Sequence, residues 1–541
     1  MYPGTHADAD PGRPAVVMAG SGQRLTYGEL EERSTRLADA LTGAGLRRGD
    51  VVALLTDNSV RAYEVYWAAL RSGRYLAAVN SHLSPAEVAY IVTDSGAKAL
   101  VVSAALGELA EAVAGLLPGV PVKLAYGGET GGYADYDAFL ATGSPERPAE
   151  QPSGADLLYS SGTTGRPKGI KVDLPEYRVD EPGDLLTPVL QGMYGFGPDM
   201  VYLSPAPVYH AAPLRFGAAV HRVGGTLVMM ERFDAEAALR AIETYRVTHS
   251  QWVPTMFVRM LKLPGGVRAR YDLSSHRVAV HAAAPCPVEV KRAMIDWWGP
   301  VLYEYYAATE GAGMTFVDST QWLAKPGTVG RAVIGVIRIC DDEGRVLPPG
   351  EVGTVYFERD EVPFSYHGDP EKTREAQHPE HPTWCTIGDV GYLDEDGFLF
   401  LTDRRAFMII SGGVNIYPQE IEDALALHPA VLDVAVIGIP DPEMGESVKA
   451  VVQPAPDAVP GPELAAELLA YLRERIAHYK VPRSIDFVDE LPRTPTGKLV
   501  KRRLKERYAA PAAAGSDSET TGETVWVAEP QPPSHSGIAS S

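Results

Sequence analysis

The chain has 541 residues, 45% hydrophobic and 22% charged, ordinary values for a globular protein of roughly three or four domain-sized units. A formal charge of −21 argues against general binding to nucleic acid or to an anionic membrane. The longest apolar runs, such as Val51-Val52-Ala53-Leu54-Leu55, are too short to span a bilayer, and the first residues lack the basic and apolar stretches of a secretory signal. No integral membrane association and a cytoplasmic location are therefore expected.

Residues 1–23 are polar and contain Pro and Gly, which predicts a loose lead-in. From Leu25 to about Leu401, apolar β-type runs at 51–55 and 99–102 alternate with helical spacing at 87–93, 235–245 and 288–298. That alternation predicts an α/β fold with parallel sheets. An apolar strand at 398–401 precedes a boundary near Asp403, so residues 1–403 form a large first domain. Residues 404–508 read as a compact second unit, with strands at 406–410 and 431–437 and helices at 418–427 and 462–477. The stretch 509–541 is rich in Ala, Pro, Ser and Glu, with Val525, Trp526 and Val527 its one apolar island, and it reads as a disordered tail. There is no internal repeat.

The three cysteines, Cys286, Cys340 and Cys385, form no CxxC and no even-numbered framework, so thiols are expected rather than a disulfide. His378-Pro379-Glu380-His381, followed by Cys385, has a passable metal-ligand spacing. Pro379 and Pro382 oppose a helix presenting both rings together, and the segment reads as a polar surface turn.

The most informative stretch is Tyr159-Ser160-Ser161-Gly162-Thr163-Thr164-Gly165-Arg166-Pro167-Lys168-Gly169. Its glycines let backbone N–H groups face an anion, Ser and Thr hydroxyls add donors, and Lys168 adds a point charge. It is a phosphate cradle. Five residues after Gly162 stands Pro167, so the spacing is not that of a Walker P-loop.

The form of this stretch resembles the phosphate loop of the adenylate-forming superfamily, which includes acyl-CoA and aryl-CoA synthetases, peptide synthetase adenylation domains and luciferases. Further segments similar to that family follow in its order. They are Pro205-Ala206-Pro207-Val208-Tyr209-His210, Ala283-Ala284-Pro285, Tyr306-Ala307-Ala308-Thr309-Glu310, Gly327-Thr328-Val329-Gly330-Arg331 and Thr386-Ile387-Gly388-Asp389-Val390-Gly391. Asp403-Arg404-Arg405, Ser411-Gly412-Gly413-Val414-Asn415-Ile416-Tyr417-Pro418 and Pro495-Thr496-Gly497-Lys498 complete the series. The resemblance runs from about Arg24 to Arg507. It implies a large N-terminal domain of two α/β subdomains with a distorted β-barrel, then a small mobile α+β C-terminal domain.

The implied chemistry is ATP-dependent activation of a carboxylic acid as an acyl-adenylate, with release of pyrophosphate and transfer to CoA. The resemblance places Ser160, Ser161, Gly162, Thr163, Thr164, Gly165 and Lys168 on the β- and γ-phosphates, with Thr309 assisting. Glu310 would ligate Mg²⁺, whose preference for oxygen ligands suits a carboxylate beside phosphates. Tyr306 would stack on adenine, with Ala284 and Pro285 on its other side. Asp389 and Arg404 would hold the ribose, and Lys498 would bridge the carboxylate and the α-phosphate. Gly412 and Gly413 would line a pantetheine channel, and the sequence around them looks more like that of CoA ligases than of peptide synthetases. His210, with Tyr209, Trp252, His281, Tyr305, Ala307 and Met314, would border an acyl pocket suited to an aryl or medium alkyl acid.

Two departures accompany the resemblance. Ala406 stands where many relatives carry Lys or Asp at the hinge, and Ala307 replaces a Gly beside the acyl site. The net negative charge requires a local basic surface for ATP and CoA; Arg404-Arg405 and the run Lys498, Lys501, Arg502, Arg503, Lys505 and Arg507 are the basic stretches, of which Lys498 and Arg404 fall on motifs and the rest read as a solvated face. Other acceptors remain open at this point: a carrier-protein thiol, an amine, or activation of a small oxyacid such as nitrite. So does a silent nucleotide-binding relative, although Lys168, Glu310 and Lys498 are all present. Oligomeric state cannot be read.

Overall fold

The structure is a computed structural model that describes residues 2–160, 167–404, 407–493, 499–509 and 525–527, with the side chains of 160, 403, 404, 415, 509 and 525–527 excepted. The lead-in is more ordered than expected. Residues Pro3–Ala9 form a helix with proline in its first turn, and β1 (Pro14–Met18) buries Ala15, Val16, Val17 and Met18. The Val16-Val17-Met18 run was long enough to complete a sheet edge, which polarity averaged over 23 residues concealed. β2 (Arg24–Thr26) folds back antiparallel to β1.

Helices begin where the sequence supplies a cap. Thr26 with Glu29 forms a capping box ahead of the helix Tyr27–Gly43, and Ser84 with Glu87 does the same for Pro85–Asp94. β3 (Val51–Leu55), β4 (Tyr75–Val79), β5 (Ala97–Ser103) and β6 (Val122–Tyr126) are parallel in the spatial order β4-β3-β5-β6, with β7 (Ala134–Asp135) beyond them. β8 (Ala155–Ser160) lies parallel to β4 and antiparallel to β9 (Lys168–Lys171).

A second parallel set comprises β10 (Val201–Ser204), β11 (Thr226–Met229), β12 (His249–Trp252), β13 (Val278–His281) and β14 (Leu302–Glu304). Their order is β1-β11-β10-β12-β13-β14, extended by antiparallel β15 (Met314–Asp318) and β16 (Arg331–Ile334). In both sheets the chain steps from a central strand to one side and then crosses to the other. The reversal falls between β3 and β5 in one sheet and between β10 and β12 in the other, and the crevice outside the carboxyl ends at such a point is where α/β sheets bind ligands.

Alternation along the strands divides the core. Val52, Leu54, Leu76 and Ala78 join Val16, Tyr202, Leu227 and Val280 in one cluster, whereas Val51, Ala53, Leu55 and Ala77 join Val88, Ile91 and Val113 in another. β17 (Val336–Cys340), β18 (Gly353–Glu358), β21 (Asp389–Leu393) and β22 (Leu399–Arg404) form an antiparallel sheet where the resemblance implied a distorted barrel, with β20 (Trp384–Cys385) against β18. β19 (Ser365–Tyr366) returns to pair with β9.

The chain divides into two compact units, with Met1–Ala284 and Lys291–Leu401 in the larger and Pro285–Val290 with most residues from Thr402 in the smaller. The smaller unit is built on β23 (Ile409–Ser411), β24 (Val414–Ile416), β25 (Val431–Asp441), β26 (Gly445–Pro454) and β27 (Ser484–Phe487). Ile421 and Leu425 of one helix and Leu464 and Leu468 of another cover one face of this sheet, and Leu504 packs against Ala435 and Val451 on the other. The apolar island of the tail forms β28 (Val525–Val527), antiparallel to β27 with Ile485 opposite Trp526. The rest of the stretch read as a disordered tail, 510–524 and 528–541, lies outside the described residues.

The segment after His378 is the expected polar surface turn, with Pro379, Glu380, His381 and Pro382 exposed, and His378 anchors it. His378 is buried, its Nε2 bonds the Gly344 carbonyl at 2.8 Å, and its Nδ1 accepts from the backbone N–H groups of Glu380 and His381. Cys340 and Cys385 are buried.

Candidate active site

Most residues singled out in the sequence lie at or just beyond the carboxyl ends of the parallel strands. β8 ends at Ser160 and leads into the phosphate loop, whose residues 161–166 lie outside the described ones, as does Lys498 and the side chains of Ser160 and Arg404. The base of the loop is fixed by Tyr159, which donates to Asp94 Oδ2 at 2.7 Å at the end of the helix Pro85–Asp94. Burial, reinforced by that carboxylate, raises the Tyr159 phenol far above its usual range.

Lys168, the first residue of β9, places its ammonium 5.5 Å from the ring centroid of Tyr366. The Tyr366 hydroxyl donates to Glu310 Oε1 at 3.0 Å. Burial, and after it the charge of Lys372, lowers the Lys168 pKa from its ordinary value, against the opposing pull of Asp369, Glu375 and Glu310. Tyr366 thus joins the cation and the carboxylate that the sequence singled out separately. No spacing or motif marks it, because the contact is created by the pairing of β19 with β9.

The segment from Tyr305 to Glu310 connects both ends of the site. Tyr306 donates from its hydroxyl to Asp389 Oδ2 at 2.6 Å, across 83 residues of sequence. Its backbone is locked by Thr315, whose Oγ1 accepts from Tyr306 N at 3.2 Å and whose N–H donates to Tyr306 O at 2.9 Å. Ala307 pairs with Met314 in an isolated bridge, and Thr309 is half-buried. Asp389 opens β21, and two residues later a Cβ on Gly391 would lie 2.4 Å from the Phe400 carbonyl, so only glycine lets β21 and β22 approach there.

Ala283, in the expected adenine-side loop, is exposed and adopts a φ of +75°. For an alanine this left-handed conformation costs about 1 kcal/mol, a concentration of strain at a loop already marked by its sequence. Ala284 beside it is half-buried and Pro285 exposed.

His210 follows β10 and stands at the N-cap position of the helix Ala211–Val223 without a side-chain cap bond. Its ring lies 4.5 Å from that of Tyr209, and the Tyr209 hydroxyl meets His82 Nδ1 at 3.2 Å. Tyr305 stacks on Phe216 of the same helix. Arg215, one residue earlier, pairs with Asp156 of β8 at 2.8 Å and ties the two sheets together.

Two expected pocket residues sit deeper. Trp252 is fully buried with its ring against Phe257 and Trp298, and His281 is fully buried against Phe257, with Nε2 3.6 Å from Glu304 Oε2. Burial, with Lys291 second, holds the His281 imidazole well below its usual pKa. In the smaller unit, Gly412 and Gly413 form the two-residue turn between β23 and β24, with φ of +58° and +79°, the twisted hairpin turn that glycine accommodates.

The sequence profile of the AMP-binding enzyme family matches residues 5–367, and that of the AMP-binding enzyme C-terminal domain matches 420–498. The chain belongs to the AMP-binding enzyme family. Among its relatives, a feruloyl-CoA synthase from Amycolatopsis sp is 36% identical over 91% of this chain and 96% of its own. The ATP-bound MatB structure from Rhodopseudomonas palustris, 29% identical, superposes with a TM-score of 0.77 over 94% of this chain and 99% of that one. The amide bond synthetase McbA from Marinactinospora thermotolerans, 30% identical, matches with a TM-score of 0.77 over 94% and 100%. Among the described residues, no helix is long and apolar enough to cross a membrane.

Proposed function

We propose that this member of the AMP-binding family is an ATP-dependent carboxylate–CoA ligase that activates an aryl or medium alkyl acid as its adenylate. The observation that carries the reading is the segment Tyr305–Glu310. One residue of it, Tyr306, bonds Asp389, assigned to the ribose side, and another, Glu310, accepts from Tyr366, whose ring lies 5.5 Å from the Lys168 ammonium, assigned to the phosphate side.

A carboxylate is inert toward a thiol because its leaving group would be oxide. Attack by its oxygen on the α-phosphate of ATP forms a C–O–P link, breaks the bond to the β-phosphate and releases pyrophosphate. Thiol attack on the adenylate carbonyl then forms the thioester, expels AMP and sheds the thiol proton. The first nucleophile is already ionised, so this half needs cations, orientation and exclusion of water rather than a base.

Lys168 supplies a cation, Tyr306 and Asp389 hold the nucleoside, and Lys498 bridges carboxylate and α-phosphate. The Glu310 carboxylate, held by an oxygen donor and close to a lysine, fits a Mg²⁺ ion, which would supply charge neutralisation at the phosphates. Gly412 and Gly413 border the pantetheine of CoA, and residues 404–508 act as a mobile lid that brings Lys498 in for the first half reaction. The cytoplasm supplies ATP and CoA together. Likeness to an amide bond synthetase keeps an amine acceptor as the second reading.

Pyrophosphate release from ATP and Mg²⁺ is measured across aryl and alkyl acids, each with and without CoA. Acid-dependent release with an acyl-CoA product supports the ligase, CoA-indifferent release moves the acceptor to an amine or carrier, and no release with any acid refutes the reading. Lys498→Ala is expected to slow adenylate formation by roughly 10³-fold while leaving thioester formation from a supplied adenylate. Equal loss in both halves removes Lys498 from its role.

A further inference from the structure

β19 is only two residues long, yet its register sets the direction of one side chain. Tyr366 stands opposite Ile170 of β9, so Lys168, which shares a face of β9 with Ile170, is its diagonal neighbour. That pairing brings the Lys168 ammonium to 5.5 Å from the Tyr366 ring centroid, within reach of a cation–π contact. The surrounding backbone is held from several directions. His367 N donates to Gly169 O at 2.7 Å, and His367 Nε2 meets the Asp94 carbonyl at 3.0 Å. Tyr366 N donates at 3.0 Å to Oγ1 of Thr373, on the helix Pro370–Glu375, and the Phe364 ring meets that of Tyr366 edge-on with centroids 5.3 Å apart.

The Tyr366 hydroxyl donates to Glu310 Oε1 at 3.0 Å. Glu310 is near enough for its charge to oppose the lowering of the Lys168 pKa, yet the two form no ion pair among the described residues. A lysine and a glutamate this near attract each other, and a closed pair would cancel the charge that each offers to a ligand. Phosphate oxygens need the ammonium, and a Mg²⁺ ion needs a carboxylate oxygen. Tyr366 gives each group a contact other than its opposite charge: the ring takes the ammonium, and the hydroxyl takes one oxygen of the carboxylate.

We propose that Tyr366 is a positioning residue that keeps Lys168 and Glu310 from pairing, so that the ammonium serves the phosphates while the carboxylate serves Mg²⁺. This rests on the ligase reading above, which assigns both groups to the phosphate side. The two tasks are separable, because the hydroxyl acts on Glu310 and the ring acts on Lys168.

The test measures the affinity of α,β-methylene-ATP by calorimetric titration with and without Mg²⁺, in the wild type, Tyr366→Phe and Tyr366→Leu. AMP serves as a probe of the nucleoside end alone. Mg²⁺ is expected to tighten binding of the triphosphate analogue to the wild type. Tyr366→Phe keeps the ring and loses the bond to Glu310; it is expected to cut that tightening about tenfold at unchanged metal-free affinity, the effect of removing a partner that orients a metal ligand. Tyr366→Leu loses the ring as well and is expected to weaken metal-free binding about fivefold in addition. AMP affinity is expected to be equal in all three proteins. Undiminished Mg²⁺ tightening in Tyr366→Phe overturns the proposal, and so does a matching loss of AMP affinity, which a merely structural role would produce. A wild type that binds the analogue equally with and without Mg²⁺ overturns it too. Should Tyr366→Leu fail to fold, the comparison with Tyr366→Phe decides alone. A wild type that binds neither nucleotide counts against the ligase reading itself, a result distinct from a nucleotide-binding protein indifferent to the Tyr366 hydroxyl.

Discussion

Replacing Lys291 by Met tests how the active-site segment is held from below. Lys291 is fully buried on the helix Val288–Trp298, with its Nζ 2.6 Å from Glu304 Oε2 and 4.9 Å from the Trp322 ring centroid. Glu304 ends β14 directly ahead of Tyr305 and Tyr306, and burial raises its pKa against the opposing pull of Lys291. Breaking a buried pair from one side costs about 3–5 kcal/mol at the limit where the orphan stays charged. The orphan avoids much of that by taking a proton, either on Glu304 or on His281, which lies 3.6 Å away. Residue 291 itself aside, and whichever group holds the proton, the folded variant binds one more than the folded wild type, while the unfolded chains titrate alike between pH 5 and 7. Linkage then makes the stability gap grow with pH by about 1.4 kcal/mol per unit, roughly 2.7 kcal/mol between pH 5 and 7, levelling off near the full cost. Urea denaturation of both proteins at each pH, followed by tryptophan fluorescence, measures the gap. A gap that is flat with pH, or below about 1 kcal/mol at pH 7, refutes the claim that an unpaired charge is what the substitution leaves behind.

Other consequences are as direct. Asp389→Asn weakens a charge-assisted bond to Tyr306, and about 1.5–3 kcal/mol corresponds to a 10- to 100-fold rise in KM for ATP; an unchanged KM removes Asp389 from the ribose. Gly412→Ala combines a φ of +58° with a Cβ 2.5 Å from Met444 Cε, whereas Gly413→Ala meets open space at +79°. Both are expected to destabilise the smaller unit by about 1–2 kcal/mol, Gly412→Ala the more, in chemical denaturation. Deleting residues 510–541 removes β28, and hydrogen exchange at Ser484, Ile485 and Asp486 of β27 is expected to quicken. Unchanged protection there means that the edge is stable without its partner.

What the sequence made legible was local or motif-borne. The apolar run 51–55 is a strand between the same residues, and the helical spacing at 288–298 is a helix over Val288–Trp298. The strand expected at 431–437 continues to Asp441, because the β25–β26 hairpin rewards pairing beyond the point where the apolar run ends. The strands near the two ends went unread for a shared reason. β1 and β28 are short segments whose strand character depends on a partner elsewhere, and averages over polar surroundings hide them. Tyr366, Asp94, Arg215 and Lys291 carry no motif, since each acquires its meaning from a residue brought to it by the fold.

Glu304, Tyr305 and Tyr306 show where that limit lies. Three neighbours at the end of one strand have three destinations: Lys291 in the core, Phe216 and Gln251 in the crevice wall, and Asp389 at the nucleotide side. Sequence reading took Tyr305 and Tyr306 for the site through their place in a motif and passed over Glu304, whose only work is internal. Yet the direction of each ring depends on the strand end that Glu304 anchors. A substitution at Lys291 that left the fold standing but loosened β14 would therefore shift acid selectivity, through Tyr305, and ATP affinity, through Tyr306, together. A variant that altered one without the other would show that the two rings are held independently, Tyr306 by its paired bonds with Thr315 and Tyr305 by its stack on Phe216.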